Sequence, residues 1–590
     1  MLDNDRWIRY VTGMPSRLGS IHVATTKRFY KDRLYQTHLL RRSYREGPQV
    51  KHETLGNISH LPTDLIDLIK RSLAGEKFVA VSEAFAIERS LPHGHVEAVL
   101  GTMAKLGIDS LIFSKRCRQR DLVMAMMVER ILHQCSKLAT TRLWHHTTLA
   151  EELSVADANE DELYQALDWL LARQPQIEKK LARRHLSEGG RVLYDVSSSY
   201  YEGRTCPLAL YGHDRDGKKG LPIIVYGVLT DPSGRPVAVD VYAGNTGDPT
   251  TVPDQVEKLR QRFGLSRIVL VGDRGLLTQT QIDTLKQYPG LGWISALKSL
   301  AIRNLVDSGC LQRSLFDQQN LAEIRSPDFP EERLVACFNP LLADERGRKR
   351  QELLAATEKE LDKIAKEVAR RTRKPIGQAD IALKVGRVLH RFKMAKHFTL
   401  TIEDGLFQWA RVDASIQREA HLDGLYVIRT SEPKQRLSAP DAVRHYKSLA
   451  QVERAFRCLK GIDLRVRPIR HRTEDHVRAH IFLCLLAYYV EWHMRQALAP
   501  ILFGDENLDP DRTRRDPVTP AEPSVSVKRK KAVRLTKDGL AVQSFDTLLK
   551  ILGTRCRNLC KVKAASSGSS FFQLTEPTPL QSRARQLLDL

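Results

Sequence analysis

The sequence is short of acid. It carries 70 Asp and Glu against 93 Lys and Arg, a formal net charge of +23. That imbalance predicts attraction to a polyanion: DNA, RNA or an anionic membrane surface. Long apolar runs are missing too. The longest, Ile481 to Val490, meets Glu491 after ten residues, half of the ~20 a spanning helix needs, and reads as a buried helix. The opening MLDNDRWIRY lacks the apolar stretch of a secretory signal. Paired cysteines are absent. Nine are scattered with no CxxC, and Cys556 and Cys560, four apart, have no His or Cys cluster beside them. This argues for reduced thiols in a cytosolic protein and against a zinc site.

What is present is a chain of 590 residues, long enough for several domains and an ample core. Residues 1–60 are basic, and SIHVATT, YQTHLLRRSYRE and QVKHETLG read as strands joined by polar turns. From Pro62 the apolar period becomes helical, with helices expected at 63–75, 94–106, 119–135 and 160–186. This block serves equally well as a DNA-binding module or as a helical core with no nucleic-acid role. From Arg191 the pattern turns to strands: RVLYDVSSSYYEG, LPIIVYGVLTD, PVAVDVYAGN and, after a helix over 251–264, RIVLVG. Strands followed by alternating helix and strand indicate a mixed α/β domain. A charged helix over 340–371, with Leu354, Leu361 and Val368 at heptad spacing and Ile364 beside them, predicts a helical hairpin with 376–395. Residues 504–526 read as a Pro/Asp/Ser linker, and the KRKK that follows as a solvated tether.

Three carboxylates stand out. Asp195 follows the apolar VLY of a predicted strand, where an unpaired charge is costly unless it binds a metal. Asp273 ends RIVLVGD, and ligands of α/β sheets bind at strand ends. Glu453 lies in the basic helix HYKSLAQVERAFRCLK. Tyr446 and Lys460 stand seven residues either side of it, about two turns, so all three are expected on one helix face. An all-oxygen set suits Mg²⁺ or Mn²⁺. Two ions so held would serve phosphodiester chemistry with no covalent nucleophile.

Two patterns are set aside. GHDRDGKK, residues 212–219, approaches a phosphate loop, but Lys219 replaces the Ser/Thr, Asp214 and Asp216 would repel phosphate, and a strand follows instead of a helix. Ser197, Ser198 and Ser199 sit beside Asp195 without a GxSxG elbow.

On these residues the chain resembles bacterial insertion-sequence transposases of the DDE type, in the branch with a Tyr-x2-Arg-x3-Glu-x6-Lys signature. Tyr446, Glu453 and Lys460 match its spacing; YDVSSSYYEG and LVGDRG match its first two carboxylate strands. The likeness spans roughly residues 20–500. Leu449 departs from it, standing where the signature has arginine, with Lys447, Arg454 or Arg457 as substitutes. The resemblance implies a multidomain α/β protein: a ribonuclease H-like core with a large insertion between the second and third carboxylates, behind a small β-rich segment and a helical domain. The expected boundaries are 1–60 basic and β-rich, 61–190 helical, 191–300 and 441–503 the two parts of the core, 301–440 the inserted subdomain, 504–537 linker and 538–590 a helical tail.

It further implies that Asp195, Asp273 and Glu453 hold two Mg²⁺ ions, with Mn²⁺ as substitute. Tyr446 and Lys460 would contact phosphate, and Arg457 and Arg454 are added as DNA-binding cations. Trp293 or Lys298 are further DNA candidates, with Trp293 reading better as core. The expected activity is cleavage at terminal inverted repeats and joining of 3′ ends to target DNA. The expected setting is a homodimer or larger assembly in the bacterial cytoplasm, at the nucleoid. A transposase-derived DNA-binding protein, or a nuclease of the same fold without strand transfer, are the alternatives.

Overall fold

The computed structural model describes residues 19–30, 33–78, 85–506, 515–562 and 569–590. The opening decapeptide and part of the 504–526 stretch lie outside them. The chain forms two compact units, one of residues 1–90 and 558–573, the other of 91–557 and 574–590.

In the first unit, β1 (Ser20–Tyr30), β2 (Arg33–Glu46) and β3 (Gln49–Asn57) form an antiparallel meander. Helix α1 (Thr63–Leu73) follows. The block 61–190 is not all helical, because β4 (Phe85–Pro92) belongs to a three-stranded sheet with Cys556–Val562 and Ser570–Leu574. The expected helical tail therefore contains two strands. Neither CRNLCKV nor SFFQL alternates apolar with polar residues, so period alone gives no strand signal there.

The second unit begins with α2 (Gly94–Lys105), α3 (Arg118–Leu132), α4 (Glu160–Leu171) and α5 (Gln174–His185). The last two were expected as one helix. Pro175 falls in the first turn of the second, where it has no N–H to continue the ladder of the first. The sheet follows: β5 (Gly190–Tyr200), β6 (Ile223–Thr230), β7 (Pro236–Ala243), β8 (Ile268–Val271) and β9 (Leu291–Ala296). β5, β6 and β7 are antiparallel neighbours, while β8 runs parallel to β5 and β9 parallel to β8. Gly227 lets the buried Tyr194 ring lie across β6, because a Cβ there would meet its hydroxyl at 2.2 Å. Tyr194 in turn donates to Thr251 Oγ1 at 2.8 Å.

The stretch expected as one inserted subdomain is divided. Strands β10 (Leu321–Ile324) and β11 (Arg333–Phe338) extend the same sheet. After them come α6 (Pro340–Arg370), α7 (Gln378–Phe392), the hairpin β12 (Phe398–Glu403) and β13 (Leu406–Arg411), and finally β14 (Leu425–Thr430). The eight-stranded order is β10-β11-β14-β9-β8-β5-β6-β7. Pairing of β14 on β9 satisfies backbone groups that an edge strand would leave open. The helical hairpin has its own small core, in which Leu354, Leu361, Ile364 and Val368 meet Ile381 and Val385. Leu361→Ala should cost about 2–5 kcal/mol. Hydrogen exchange should show protection lost across 340–411 while the central sheet keeps its own.

Helices α8 (Ala439–Lys447), α9 (Leu449–Lys460) and α10 (Glu474–Ala497) complete the unit's centre. Helix α10 contains the apolar run Ile481–Val490 and is buried on all sides. It packs on β7 and on α3 and α4, so the helical block and the sheet share one core. Among the described residues no helix is long and apolar enough to cross a membrane. The basic run is no solvated tether. It lies on a helix over Val525–Val533, with buried Lys530 donating to the Ala499 carbonyl at 2.7 Å and pairing with Glu506 at 2.6 Å.

Candidate active site

The parallel register of β5 and β8 pairs Leu193 with Val271. Carried two residues further, it sets Asp195 beside Asp273 at the same height, on the same side of two strands that lie about 4.8 Å apart. Asp195 is half buried, and its Oδ1 accepts from the Val196 amide at 2.8 Å. Asp273 closes the turn after β8: its Oδ1 accepts from the amides of Gly275 at 3.0 Å and Leu276 at 2.7 Å. One oxygen caps a turn, and the carboxylate still faces Asp195.

Glu453 stands on the exposed side of α9, whose opposite face, Val452, Ala455, Phe456 and Leu459, is buried. Phe456 packs on Tyr226 of β6, their rings 5.8 Å apart. That packing fixes which face of α9 turns outward. Burial pushes the Asp195 carboxyl up to about 7. The charges of Asp273 and Glu453 add to the rise, while the Val196 amide and Arg215 oppose it. Among the described residues none of the three carboxylates has an ion-pair partner. Three acids meeting without a counter-cation fit a divalent cation bound between them.

The trio is open. Among the described residues, the one acidic or thiol group whose ligand atoms all lie within 4.8 Å of one another is Cys458, Asp463 and Glu491. Those carboxylates already have a cation, since Arg495 reaches Glu491 at 2.6 Å and Asp463 at 2.8 Å. A metal there would have to displace it.

Tyr446 is brought to the trio by a different route from the one expected. The single helix 445–460 is broken at Ser448, whose hydroxyl donates to the His445 carbonyl at 2.6 Å. Tyr446 ends α8, while Glu453 and Lys460 lie on α9, so no shared helix face joins them. Burial pushes the Tyr446 hydroxyl up to about 12, and Asp273, Glu453 and Asp195 all contribute to the rise.

Lys460 is not aimed at the trio. Its Nζ donates to Ser197 Oγ at 2.9 Å and pairs with Asp216 Oδ1 at 2.9 Å. Asp216 also pairs with Arg467 and accepts from the Tyr200 amide at 3.1 Å. The rejected phosphate-loop decoy thus holds a structural anchor, and its neighbour Arg215 pairs with Asp248. Sequence reasoning missed Asp216; two acids in a basic loop were its signal.

Leu449 is buried, so its side faces the core rather than solvent. Of its proposed substitutes, Lys447 donates to the carbonyls of Val518 at 2.8 Å and Thr519 at 2.9 Å. Arg454 lies within electrostatic reach of Glu491 and Tyr488 on α10. Arg457 is exposed. Trp293 is 4% exposed and belongs to the core.

An acid within β5, another just past β8 and a glutamate on α9 make the candidate site, and comparison with known proteins gives the family. Residues 203–490 match the transposase DDE domain, and residues 23–82 match the N-terminal domain of the IS1634 family transposases. Together they cover more than half of the chain, which belongs to the insertion-sequence transposases of the DDE type. Asp273 and Glu453 fall inside the first match, and Asp195 just ahead of it. No curated protein matches the chain. A solved structure of a piggyBac transposase synaptic complex with hairpin DNA is 12% identical, over 78% of this chain and 86% of that one. Its TM-score is 0.23, so the superposition is loose and says nothing of the site.

Proposed function

We propose that this transposase binds the terminal inverted repeats of an insertion sequence, cleaves the ends and joins the freed 3′-hydroxyls to target DNA. The observation that carries the reading is the approach of Asp195, Asp273 and Glu453 to one another, none of which has an ion-pair partner among the described residues. The strand order β7-β6-β5-β8-β9, three antiparallel and then two parallel, supports a ribonuclease H-like core. Two Mg²⁺ ions, or Mn²⁺, held by the three carboxylates would supply activation of the attacking hydroxyl and stabilisation of the leaving oxygen.

The chain's own residues do the positioning. The sheet holds Asp195 on both sides, through pairing with β6 and β8. The turn amides orient Asp273. Glu453 is presented by a helix anchored at its far end through Lys460 and Asp216. Tyr446 borders the trio, and Arg454 and Arg457, both exposed on α9, are its DNA-facing cations. Lys460 acts within the protein, on Asp216. The assembly on DNA is a dimer or larger.

With a duplex carrying one inverted repeat and a target plasmid, the protein should nick the end and capture the target in Mg²⁺, and do neither in chelator. Cleavage in chelator would sink the metal role. Hydrolysis without capture would mark a nuclease, and binding without nicking a DNA-binding protein.

A further inference from the structure

A cavity of about 350 Å³ lies between the helical block and the segment after α9. Its lining includes Arg130, Lys137, Arg465, Arg467, Arg470 and His471. Two of these cations are already matched: Arg467 pairs with Asp216, and Arg470 with Glu202 at 2.8 Å. Arg130, Lys137 and Arg465 have no carboxylate partner among the described residues. Arg130 donates to the carbonyls of Cys135 at 3.2 Å and Leu464 at 3.5 Å. Lys137 is 4% exposed, and its amine is driven down to about 7 by burial first and by Arg130 next. The histidines give no relief. Burial, with Lys137 among the neighbouring charges, pushes His471 down to about 3, so it stays neutral.

Arg130 and Lys137 are buried while Arg465 is exposed, and buried charges of one sign are retained at a cost unless something of the other sign joins them. The backbone adds a second sign of purpose. Arg465 sits at φ 45°, a left-handed conformation that a non-glycine residue adopts against its preference. Such strain clusters at binding sites, where the surroundings hold it in place.

We propose that this cavity is an oxyanion site that takes one phosphate group, bound between the ammonium of Lys137 and the guanidinium groups of Arg130 and Arg465. The group could come from a DNA strand or from free phosphate; both offer the same tetrahedral oxygens to the same donors. The DNA source rests on the function proposed above. The oxyanion site does not, so either can fail alone.

The test compares wild type with Lys137→Met and Arg465→Gly, using inorganic phosphate against chloride at matched ionic strength. Phosphate should raise the melting temperature of the wild type. Lys137→Met should lose that increment yet be at least as stable as wild type without phosphate, because an unpaired buried cation has gone. Arg465→Gly relieves the left-handed strain and should weaken phosphate binding by about tenfold or more. If the salt dependence of DNA binding is also shallower in Lys137→Met, by up to about one unit, a backbone phosphate is the ligand. Phosphate binding with an unchanged DNA slope assigns the site to free phosphate. Three results would overturn the site: no phosphate effect on wild type together with an unchanged slope, an increment that survives both substitutions, or a Lys137→Met protein less stable than wild type without phosphate.

Discussion

Asp195→Ala should abolish end cleavage and strand transfer, by at least about a thousandfold, the upper range for removing one electrostatic stabiliser from an active site. Duplex binding should persist, because Asp195 carries no positive charge and is half buried. A second readout separates a working site from a merely structural one. Burial and two neighbouring acids disfavour the charged form of Asp195. Removing its charge with Asp195→Asn should therefore raise the melting temperature in chelator. A residue that loses activity while gaining stability is there for the chemistry, not for the fold. Undiminished strand transfer by the alanine variant would remove Asp195 from the site. A drop in stability for the asparagine variant would show that its carboxylate is satisfied within the protein.

Asp216→Ala should be the most destabilising single change near the site. The side chain is 2% exposed and holds two cations, Lys460 and Arg467, together with the Tyr200 amide. Breaking a buried ion pair from one side strands the other, at about 3–5 kcal/mol. Urea unfolding should show a lower midpoint with an unchanged slope. Asp216→Asn keeps an acceptor for the Tyr200 amide and should recover part of the loss. Lys460 ends the helix that carries Glu453, and Ser197 lies two residues after Asp195, so the loss reaches the distance between the carboxylates. An unchanged midpoint would mean the pair is loose, leaving Lys460 available to DNA.

Much of this was legible in the chain. The sequence singles out the three carboxylates as candidate ligands, and the strands around two of them and the helical hairpin with its Leu354–Leu361–Val368 seam follow from period. Two kinds of feature did not. The break at Ser448 is marked by a hydroxyl turning back on the His445 carbonyl, which seven-residue spacing cannot reveal. The fate of the cations was also hidden: Lys460, Lys447 and Lys530 read as free positive charge in sequence, yet each is spent on an acid or a carbonyl brought from elsewhere in the chain. Net charge states how many cations exist, not how many face outward. Strand pairing across long separations, as between Phe85–Pro92 and Cys556–Val562, leaves no local mark in these sequences.

Helix α10 has no outward face, and this restricts how the protein can be taken apart. Its partners come from residues far ahead of the sheet and from the sheet itself. A fragment begun at Arg191 would lay one flank of that helix bare to water and should aggregate rather than fold. The carboxylate centre therefore cannot be inherited, swapped or expressed as a cassette without the helices that precede it. Deletion mapping would report lost DNA binding for any cut between Gly94 and His185, whether or not those residues ever meet DNA.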